Sequence, residues 1–456
     1  MTNIGDSMAY NITDYDQIVN YIYNLRRDRA KFDLRNIKRL LKLVDNPHEK
    51  FDSILVGGTN GKGSTVSMIA SILLEEGFHV GMFTKPHLSS YTERFVVDGK
   101  PIREDKLLEV CEEILPYVER MSRCKRYGRP SFFEVTVAIA FKLFEEEKVD
   151  IAVVEVGLGG RLDATNVLNP LVSVITNVDL EHTHILGNTV DKIAREKGGI
   201  IKREGLAITA ADKIEALRVL EMIAQRRRAK LVEVCRDLVF TIKSAGLDGE
   251  VFDLKGLLGI YEDLTLSMIG LHQVVNAATA VGAIELLSLR GIEVHEESIR
   301  RGLGNAFWPG RFEIVERKPM IILDCAKDPR AASAIRREFE RLFSSRRVIL
   351  VVGISSDKDY ESMMREFCSF SDMVIACRHK VMGRGLDPNI LASRAEFYGR
   401  KAMVVEDVKD AVMMAKKLSS EDDVILVTGS VFTVGEAREI WFPRNTILGR
   451  SLNEGV

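Results

Sequence analysis

The sequence is poor in cysteine and has almost no excess of charge of either sign, and both features exclude classes of protein. Only six cysteines occur in 456 residues, and no two of them form a C-x-x-C pair or another metal-ligand spacing. Cysteines scattered in this way predict reduced thiols and a cytoplasmic protein rather than a disulfide scaffold. The formal net charge of −2 gives no overall electrostatic case for binding nucleic acid or an anionic membrane.

Long apolar segments, repeats and low-complexity tracts are also missing. No apolar run approaches the roughly 20 residues needed to cross a bilayer. The first residues, MTNIGDSMAYNITDYDQ, carry acids and no apolar core, unlike a signal peptide. Basic runs occur at 120–129 and 225–230, and such runs are typical of solvated helix faces or loops. We therefore expect a cytoplasmic monomer that binds small molecules and neither nucleic acid nor membrane.

What the chain does contain is a regular succession of apolar strands and helices, which predicts an α/β protein. Its length exceeds one hydrophobic core, so more than one domain is expected. The segments SILVGG, DIAVVEVG and PLVSVITNVD are continuously apolar rather than alternating. Strands of this kind are buried on both faces, which predicts a parallel sheet with helices on each side.

Two changes of pattern divide the chain. Residues 231–269 alternate between apolar and polar positions with glycine-rich breaks, which predicts a small antiparallel insert. Proline and glycine in NAFWPGR, 305–311, mark a boundary, after which strands and helices alternate again from MIILDCA to DVILVTGS. The pattern predicts a P-loop-type parallel-sheet ATPase domain over 1–305 and a smaller Rossmann-like domain over 306–456.

The stretch ILVGGTNGKGSTV, 54–66, resembles a phosphate-binding loop but departs from G-x-x-x-x-G-K-[ST], because Val56 and Gly63 occupy two of its fixed positions. Its glycines allow backbone amides to point inward, and the start of the following helix favours an anion. Lys62 supplies a cation for phosphates, and Ser64 can reach a magnesium ion. A simple glycine-rich turn is the alternative, which the lysine and serine disfavour.

Further candidates follow other strands. Glu155 ends a buried strand, at the edge where ligands of open α/β sheets bind, and its carboxylate suits Mg²⁺. His182, in NVDLEHTHILG, is a ligand, a catalyst or a surface histidine. Lys197 ends a helix before two glycines, where a lysine can also simply complement the helix dipole.

Taken in order, the motifs resemble one family. GTNGKGS, TKPHLSSYTERF, VEVGLGGRLDATN, EHTHILG, EKGGIIK, GLHQVVNAATA and WPGRFEIV follow the pattern of the folylpolyglutamate synthase/dihydrofolate synthase family, a branch of the Mur ligases. The resemblance runs from about residue 15 to GSVFTVGEAR. It implies a ligase that uses ATP and Mg²⁺ to activate a small-molecule carboxylate as an acyl phosphate, which an amine then attacks.

The resemblance also implies roles for individual residues. ATP would bind to residues of both domains, namely Asn60, Gly61, Lys62, Gly63, Ser64, Thr65, Asn276, Arg311, Asp324 and Lys327. Ser64, Glu155 and His182 would hold magnesium. Lys62, His182 and Lys197 would be catalytic, with Lys197 at the position of the family's carbamylated lysine. Lys85, Arg161 and Asp163 would contact the substrate.

Two motifs depart from the family pattern. Lys85 stands where the family has the serine of T-S-P-H-L, and DCAKDP replaces D-G-A-H-N-P, so that Lys327 stands for histidine and Asp328 for asparagine. These changes leave three functions open. The chain adds glutamate to a folate or pteroate, or it activates another polyacid, such as a nickel-tetrapyrrole side chain that cyclises in methanogens, or it is a non-ligase NTPase or kinase.

Overall fold

The structure is a computed structural model that describes residues 14–25, 33–124 and 128–444. The residues before 14, on which the expectation about a signal peptide rests, lie outside the described residues, as do residues 125–127 of the first basic run. Within the described ranges, no helix is long and apolar enough to cross a membrane.

The N-terminal domain begins with helices, which are followed by alternating strands and helices. Its helices are α1 (Tyr15–Tyr23), α2 (Arg35–Leu43), α3 (Lys62–Glu76), α4 (Glu104–Ser122), α5 (Phe132–Glu146), α6 (Thr183–Leu186), α7 (Val190–Lys197), α8 (Ile214–Arg227), α9 (Leu271–Leu287) and α10 (Glu296–Asn305). Its strands are β1 (Asp52–Gly57), β2 (Val80–Phe83), β3 (Phe95–Val97), β4 (Lys100–Pro101), β5 (Ile151–Glu155), β6 (Val172–Ile175), β7 (Leu206–Thr209), β8 (Lys230–Glu233), β9 (Val239–Gly246), β10 (Gly249–Lys255) and β11 (Ile260–Leu266).

The C-terminal domain alternates strands and helices as the sequence predicts. Its strands are β12 (Glu313–Arg317), β13 (Met320–Leu323), β14 (Val348–Val352), β15 (Met373–Ala376), β16 (Lys401–Val404) and β17 (Val424–Thr428). Its helices are α11 (Pro329–Leu342), α12 (Tyr360–Phe370), α13 (Pro388–Phe397), α14 (Val408–Leu418) and α15 (Val431–Arg438).

The large sheet brings the predicted site segments to one edge. Its eight strands lie in the order β4-β3-β2-β5-β1-β6-β7-β8, and β2, β5, β1, β6, β7 and β8 run parallel. Val56 of β1 lies opposite Glu155 of β5 and Val174 of β6. The carboxyl ends of these strands therefore coincide, and the loops that follow β1, β2, β5 and β6 meet beside one another.

The parallel strands are buried because helices cover both faces. Apolar side chains of α4 and α5 pack on one face and those of α3 and α9 on the other. Helix α3 begins in the phosphate-loop motif and ends at Glu76, before Gly77, whose φ of 98° is a left-handed value that glycine adopts without strain. The α/β prediction for this domain is confirmed.

The antiparallel insert is smaller than predicted. Its three strands, in the order β11-β10-β9, cover residues 239–266. Strand β8, which falls at the start of the predicted insert, instead pairs parallel with β7 at the edge of the large sheet. The sequence KLVE is too short for alternation to separate a parallel edge strand from an antiparallel one.

The second sheet has six strands in the order β12-β13-β17-β14-β15-β16. All neighbours run parallel except β12, which pairs antiparallel with β13 at one edge. This confirms the predicted Rossmann-like second domain. The predicted boundary at 305–311 falls between the end of α10 and the start of β12, and the exact division at 305 stays a prediction.

Candidate active site

The loop between β1 and α3 has no room for side chains at two glycines. Gly58 has a φ of 139°, and a Cβ there would lie 1.8 Å from Thr176 Oγ1. Gly61 has a φ of 81°, and its Cβ would lie 2.4 Å from Asn276 Oδ1 on α9. The loop is therefore pressed between β6 and α9, and Asn276, predicted as a nucleotide contact, lies directly beside it.

Lys62, Ser64 and Thr65 form the first turn of α3. The Lys62 ammonium donates to the carbonyls of Gly58 and Thr59, each at 2.9 Å. Ser64 and Thr65 are buried, and within the described residues the Thr65 hydroxyl has no hydrogen-bond partner. A buried hydroxyl without a partner is costly unless a ligand supplies one. The glycine cradle, the ammonium and this hydroxyl fit a polyphosphate at a helix N-terminus.

Gly63, the extra glycine of the motif, lies against a residue of the boundary segment 305–311. A Cβ at Gly63 would lie 2.8 Å from Trp308 Nε1 and 2.9 Å from Trp308 Cε2. Gly63 therefore lets the indole lie against the start of α3. Sequence reasoning singled out Gly63 but missed Trp308, although the motif WPGRFEIV contains it.

Glu155 is buried at the end of β5, and its Oε2 accepts a hydrogen bond from the backbone amide of Lys85 at 3.1 Å. Among the described residues, no three His, Cys, Asp or Glu side chains form a group that could hold a metal ion. The candidate donors include the Glu155 carboxylate and the Ser64 hydroxyl. Such a set suits Mg²⁺, which usually takes one or two protein ligands and completes its shell with phosphate oxygens and water.

Lys197 lies at the centre of the site. Its side chain is 1% exposed, and its Nζ donates to Gly58 O at 2.7 Å and to Glu181. Burial lowers the pKa of Lys197 to about 8, and the neighbouring Lys62 and Lys85 ammonium groups act in the same direction. Sequence reasoning missed Glu181, although an acid immediately before His182 was a usable signal.

His182 has a φ of 44° and lies at the start of α6, with its ring 6.2 Å from that of His184. Partial burial lowers the pKa of His182, and the ammonium groups of Lys85, Lys327 and Lys358 add to this effect, against Glu181. The His182 ring is therefore close enough to lysines of both domains for their charges to lower its pKa.

The C-terminal domain contributes Arg311, Asp324 and Lys327. Both oxygens of Asp324 accept backbone hydrogen bonds, from Phe312 at 2.9 Å and from Ala326 at 2.8 Å. Burial raises the pKa of Asp324, and Arg311 opposes this shift. Asp324 thus holds together the segment that contains Arg311 and the loop that contains Lys327.

Lys327 reaches solvent, yet protein surrounds it on most sides. This environment lowers the pKa of Lys327 to about 8, with further lowering by the cations of Lys85, Lys62 and Arg311. Neither Lys85 nor Lys327 forms an ion pair within residues 14–25, 33–124 and 128–444. The two lysines that depart from the family pattern therefore add positive charge where the two domains meet, and Glu155 is the nearby carboxylate that acts on both.

The predicted substrate residues after β5 differ in their surroundings. Asp163 is buried, and its oxygens accept from Leu158 N at 2.7 Å and from Thr165 N at 3.0 Å. A Cβ at Gly157 would lie 2.7 Å from Asp163 Oδ2 and 2.3 Å from the Phe133 ring. Arg161, by contrast, is exposed and pairs with Glu196 at 2.9 Å.

The structure therefore brings most of the predicted residues together at one edge of the large sheet. The set includes Asn60, whose amide donates to Asn177 Oδ1 at 2.8 Å. Arg161, by contrast, is directed to Glu196 rather than to the other predicted site residues.

Comparison with known proteins identifies similar chains over nearly the whole length. A family model described as the Mur ligase middle domain matches residues 56–284, and one described as the Mur ligase glutamate ligase domain matches residues 310–431. The dihydrofolate synthase/folylpolyglutamate synthase of Bacillus subtilis is 33% identical over 429 residues, which span 94% of this chain and 99% of that protein.

Solved structures agree with these matches. The folylpolyglutamate synthase of Thermotoga maritima is 37% identical, with a TM-score of 0.85 over 94% of this chain and 97% of that one. The Mycobacterium tuberculosis enzyme, solved with ADP and AMPPCP, is 31% identical, with a TM-score of 0.85 over 94% and 99%. The bifunctional Yersinia pestis enzyme, solved with AMPPNP and a Mn ion, is 28% identical, with a TM-score of 0.83 over 94% and 98%.

Proposed function

This chain belongs to the folylpolyglutamate synthase/dihydrofolate synthase family of the Mur ligase superfamily, and we propose that it joins glutamate to a folate or pteroate at the expense of ATP. It is an ATP-dependent ligase, as members of the family are. The observation that carries the proposal is the meeting of a phosphate loop with unpaired cations of both domains. Lys62 and Lys85 come from the N-terminal domain, and Arg311 and Lys327 come from the C-terminal domain.

ATP and a divalent metal ion fit the residues at the edge of the large sheet. The amides of 58–65, Lys62 and the Thr65 hydroxyl, which has no partner among the described residues, suit the triphosphate. Asn276, which lies beside Gly61, and Arg311 are the candidate contacts for the rest of the nucleotide. Ser64, Glu155 and His182 are the candidate metal ligands. A bound Mg²⁺ would neutralise the charge that develops on the transferred phosphoryl group.

In the first half-reaction, an oxygen of the substrate carboxylate attacks the γ-phosphorus of ATP, the bond to ADP breaks, and an acyl phosphate forms. Positioning and charge stabilisation supply most of the catalysis in such a transfer. Lys62 of the N-terminal domain and Lys327 of the C-terminal domain would provide positive charge for the phosphoryl group. Lys85, whose backbone amide donates to Glu155, would supply a cation for the substrate carboxylate.

In the second half-reaction, the amine attacks the acyl carbon, and the amide forms as inorganic phosphate leaves. A neutral amine is needed for this attack. The cations of Lys85 and Lys327 disfavour a protonated amine nearby and stabilise the departing phosphate. Closer contact between the domains around bound substrates would exclude water, which would otherwise hydrolyse the acyl phosphate.

Asp163 and Phe133, which pack on either side of Gly157, are the candidate contacts for the folate end. Asp163 offers a buried carboxylate, and Phe133 offers an aromatic ring across that glycine. A flat heterocycle with N–H donors can stack on the ring and donate to the acid. Burial raises the pKa of Asp163, and ring N–H donors would favour its ionised form.

Lys197 suits carbamylation. Carbon dioxide reacts with a neutral amine, and the lowered pKa of Lys197 leaves more of the amine neutral near neutral pH than in an ordinary lysine. The carbamate would turn a buried cation beside Gly58 and Glu181 into an anionic oxygen donor of the kind that Mg²⁺ prefers.

The other functions left open by the sequence receive less support. The relatives described above bear folate-ligase names, which favours a folate acceptor over a nickel tetrapyrrole. The residues of the C-terminal domain that face the phosphate loop favour a ligase over an NTPase or kinase. The division at residue 305 and the monomeric state remain parts of the proposal.

Phosphate release by the purified protein tests the acceptor. Mg-ATP is supplied with dihydropteroate, with a reduced folate or with a nickel-tetrapyrrole acid, each with and without glutamate, and products are weighed by mass spectrometry. We expect release that needs both glutamate and a pteroate or folate, and a product heavier by one glutamyl unit. Glutamate-independent turnover of the tetrapyrrole acid would overturn the proposal, and acceptor-independent hydrolysis would indicate an NTPase.

A further inference from the structure

A network of charged side chains joins the first turn of α11 to the carboxyl edge of the large sheet. Arg330 Nη1 donates to Asp179 Oδ2 at 2.6 Å, and Arg330 Nη2 donates to Asp212 Oδ2 at 3.1 Å. Lys213 donates to the other oxygen of Asp179 at 2.5 Å. Asp179 and Asp212 follow β6 and β7 in the N-terminal domain, so the Arg330 guanidinium connects the two domains.

Asp179 is also connected to the phosphate loop through its backbone. Its amide donates to Thr59 Oγ1 at 3.0 Å, and the same hydroxyl donates to Asp179 O at 3.3 Å. The carbonyl of Thr59 is one of the two acceptors of the Lys62 ammonium. A displacement of Asp179 would therefore also displace the loop that would bind phosphates.

At the other end, Arg330 lies three residues after Lys327 at the start of a rigid helix. Asp328 caps that helix, since its Oδ1 accepts from Ala331 N at 2.9 Å. The short loop before it is held by Asp324. Because the loop is fixed at both ends, the position of Arg330 sets the position of Lys327.

The network is more extensive than an isolated surface ion pair. The guanidinium uses two nitrogens on two carboxylates, and only 21% of the Asp179 side chain is exposed. Burial acts to raise the pKa of Asp179, but hydrogen bonds from Lys213 and Arg330 outweigh it and lower the pKa below its ordinary value. Charge-assisted bonds in such a network are worth more than isolated exposed pairs.

We propose that Arg330 and Asp179 are positioning residues of the ligase, whose ion pair holds Lys327 opposite the phosphate loop so that cations of both domains reach the transferred phosphoryl group. Neither residue touches a substrate. The inference rests on the proposed function for its activity measurements, and its structural measurement is independent of the acceptor.

A double-mutant cycle on kcat tests the pair. Arg330→Ala removes the guanidinium, and Asp179→Asn removes the charge while leaving the backbone bonds to Thr59. We expect each variant to lower kcat by about tenfold, because small misplacements of catalytic groups are costly, with a smaller change in the affinity for AMPPNP. The double variant should be no slower than the slower single variant, since the two changes break one interaction.

Hydrogen exchange of the AMPPNP-bound protein supplies the readout that does not need turnover. The amides of 324–330 should be protected in the wild type and lose protection in both single variants. Lys380→Ala is the matched control, because Lys380 pairs with Asp407 at 2.6 Å inside the C-terminal domain, and it should change neither kcat nor exchange at 324–330. Additive effects on kcat, or unchanged exchange in the variants, would overturn the proposal.

Discussion

The indole of Trp308 lies against the second residue of α3, so that a methyl group added at Gly63 would stand 2.8 Å from Trp308 Nε1. This contact explains why the loop carries a glycine where the common phosphate-loop pattern has serine or threonine. The hydroxyl residue is displaced by one position, to Ser64. The departure therefore reflects a neighbour rather than the loss of a nucleotide site.

Replacing Gly63 by alanine should weaken nucleotide binding by about tenfold or more, because overpacking typically costs 1–3 kcal/mol. Calorimetric titration with AMPPNP measures the change. Trp308→Leu in the Gly63→Ala background should recover part of the affinity, and Gly304→Ala is the control, since nothing lies within 4 Å of a Cβ at Gly304. Wild-type affinity in Gly63→Ala, or no recovery in the double variant, would refute this account.

Lys62→Ala should lower the rate of phosphate release on the order of 100-fold, by analogy with the loss of one preorganised charge-stabilising donor. The assay is steady-state phosphate release with acceptor and glutamate. Lys42→Ala, which removes an exposed lysine of α2, should have no effect. If Lys62→Ala turned over ATP at nearly the wild-type rate, the assignment of the loop would be wrong.

Lys197→Ala should lose activity and regain part of it when a small carboxylate such as acetate is added, because the carboxylate can replace a carbamate. Mass spectrometry of the native protein should detect one added CO₂, more at pH 8 than at pH 6, since the amine must be neutral to react. Lys202→Ala is the control. Burial also lowers the pKa of Lys202 to about 8, but its ammonium donates to Asn166, which is not among the predicted site residues. Full activity of Lys197→Ala without acetate would contradict the carbamate.

Acid should destabilise the protein through His379, which is buried with Nε2 3.0 Å from Ser355 Oγ. Burial lowers the pKa of His379 from 6.5 to about 4. Between these values the unfolded chain binds more protons, so stability is lost as the pH falls from about 6.5 towards 4. His379 alone should lower the free energy of unfolding by about 2 kcal/mol between pH 7 and pH 5.

Urea unfolding at the two pH values measures that loss, which should shrink in His379→Gln. His295→Gln is the contrasting variant, because its pairing with Glu76 raises the pKa of His295 and gives the opposite sign. An identical pH dependence in the wild type and His379→Gln would contradict the assignment.

The fold could be predicted from the sequence where the signals were local. The strands of the C-terminal domain are short continuous apolar runs, such as VILVV and VILVT, bounded by residues that cap helices or form turns. Such signals need no knowledge of distant neighbours. The glycine-rich loop and the acid at the end of β5 were predictable for the same reason, because their order after parallel strands places them at one edge.

The other parts of the fold and of the candidate site could not be predicted, because they depend on contacts between residues that are distant in the sequence. Helix α4 contains an internal proline, Pro116, and gave no clear signal. Glu181 pairs with Lys197 across sixteen positions of the chain, and Trp308 meets Gly63 from the other side of the boundary. The roles of such residues come from packing partners that a single sequence does not reveal.

Leu88 and Gly435 meet so closely that a Cβ at Gly435 would lie 2.3 Å from Leu88 O, and the Ser89 hydroxyl donates to Gly435 O at 3.4 Å. The two domains are therefore in contact at Leu88 and Ser89 as well as at Arg330. A chimaera that exchanged the C-terminal domain with that of a relative at 305–311 would keep both folds yet mismatch these contacts. Domain exchange in this enzyme requires the loop at 85–90 to be transplanted together with the domain that it contacts.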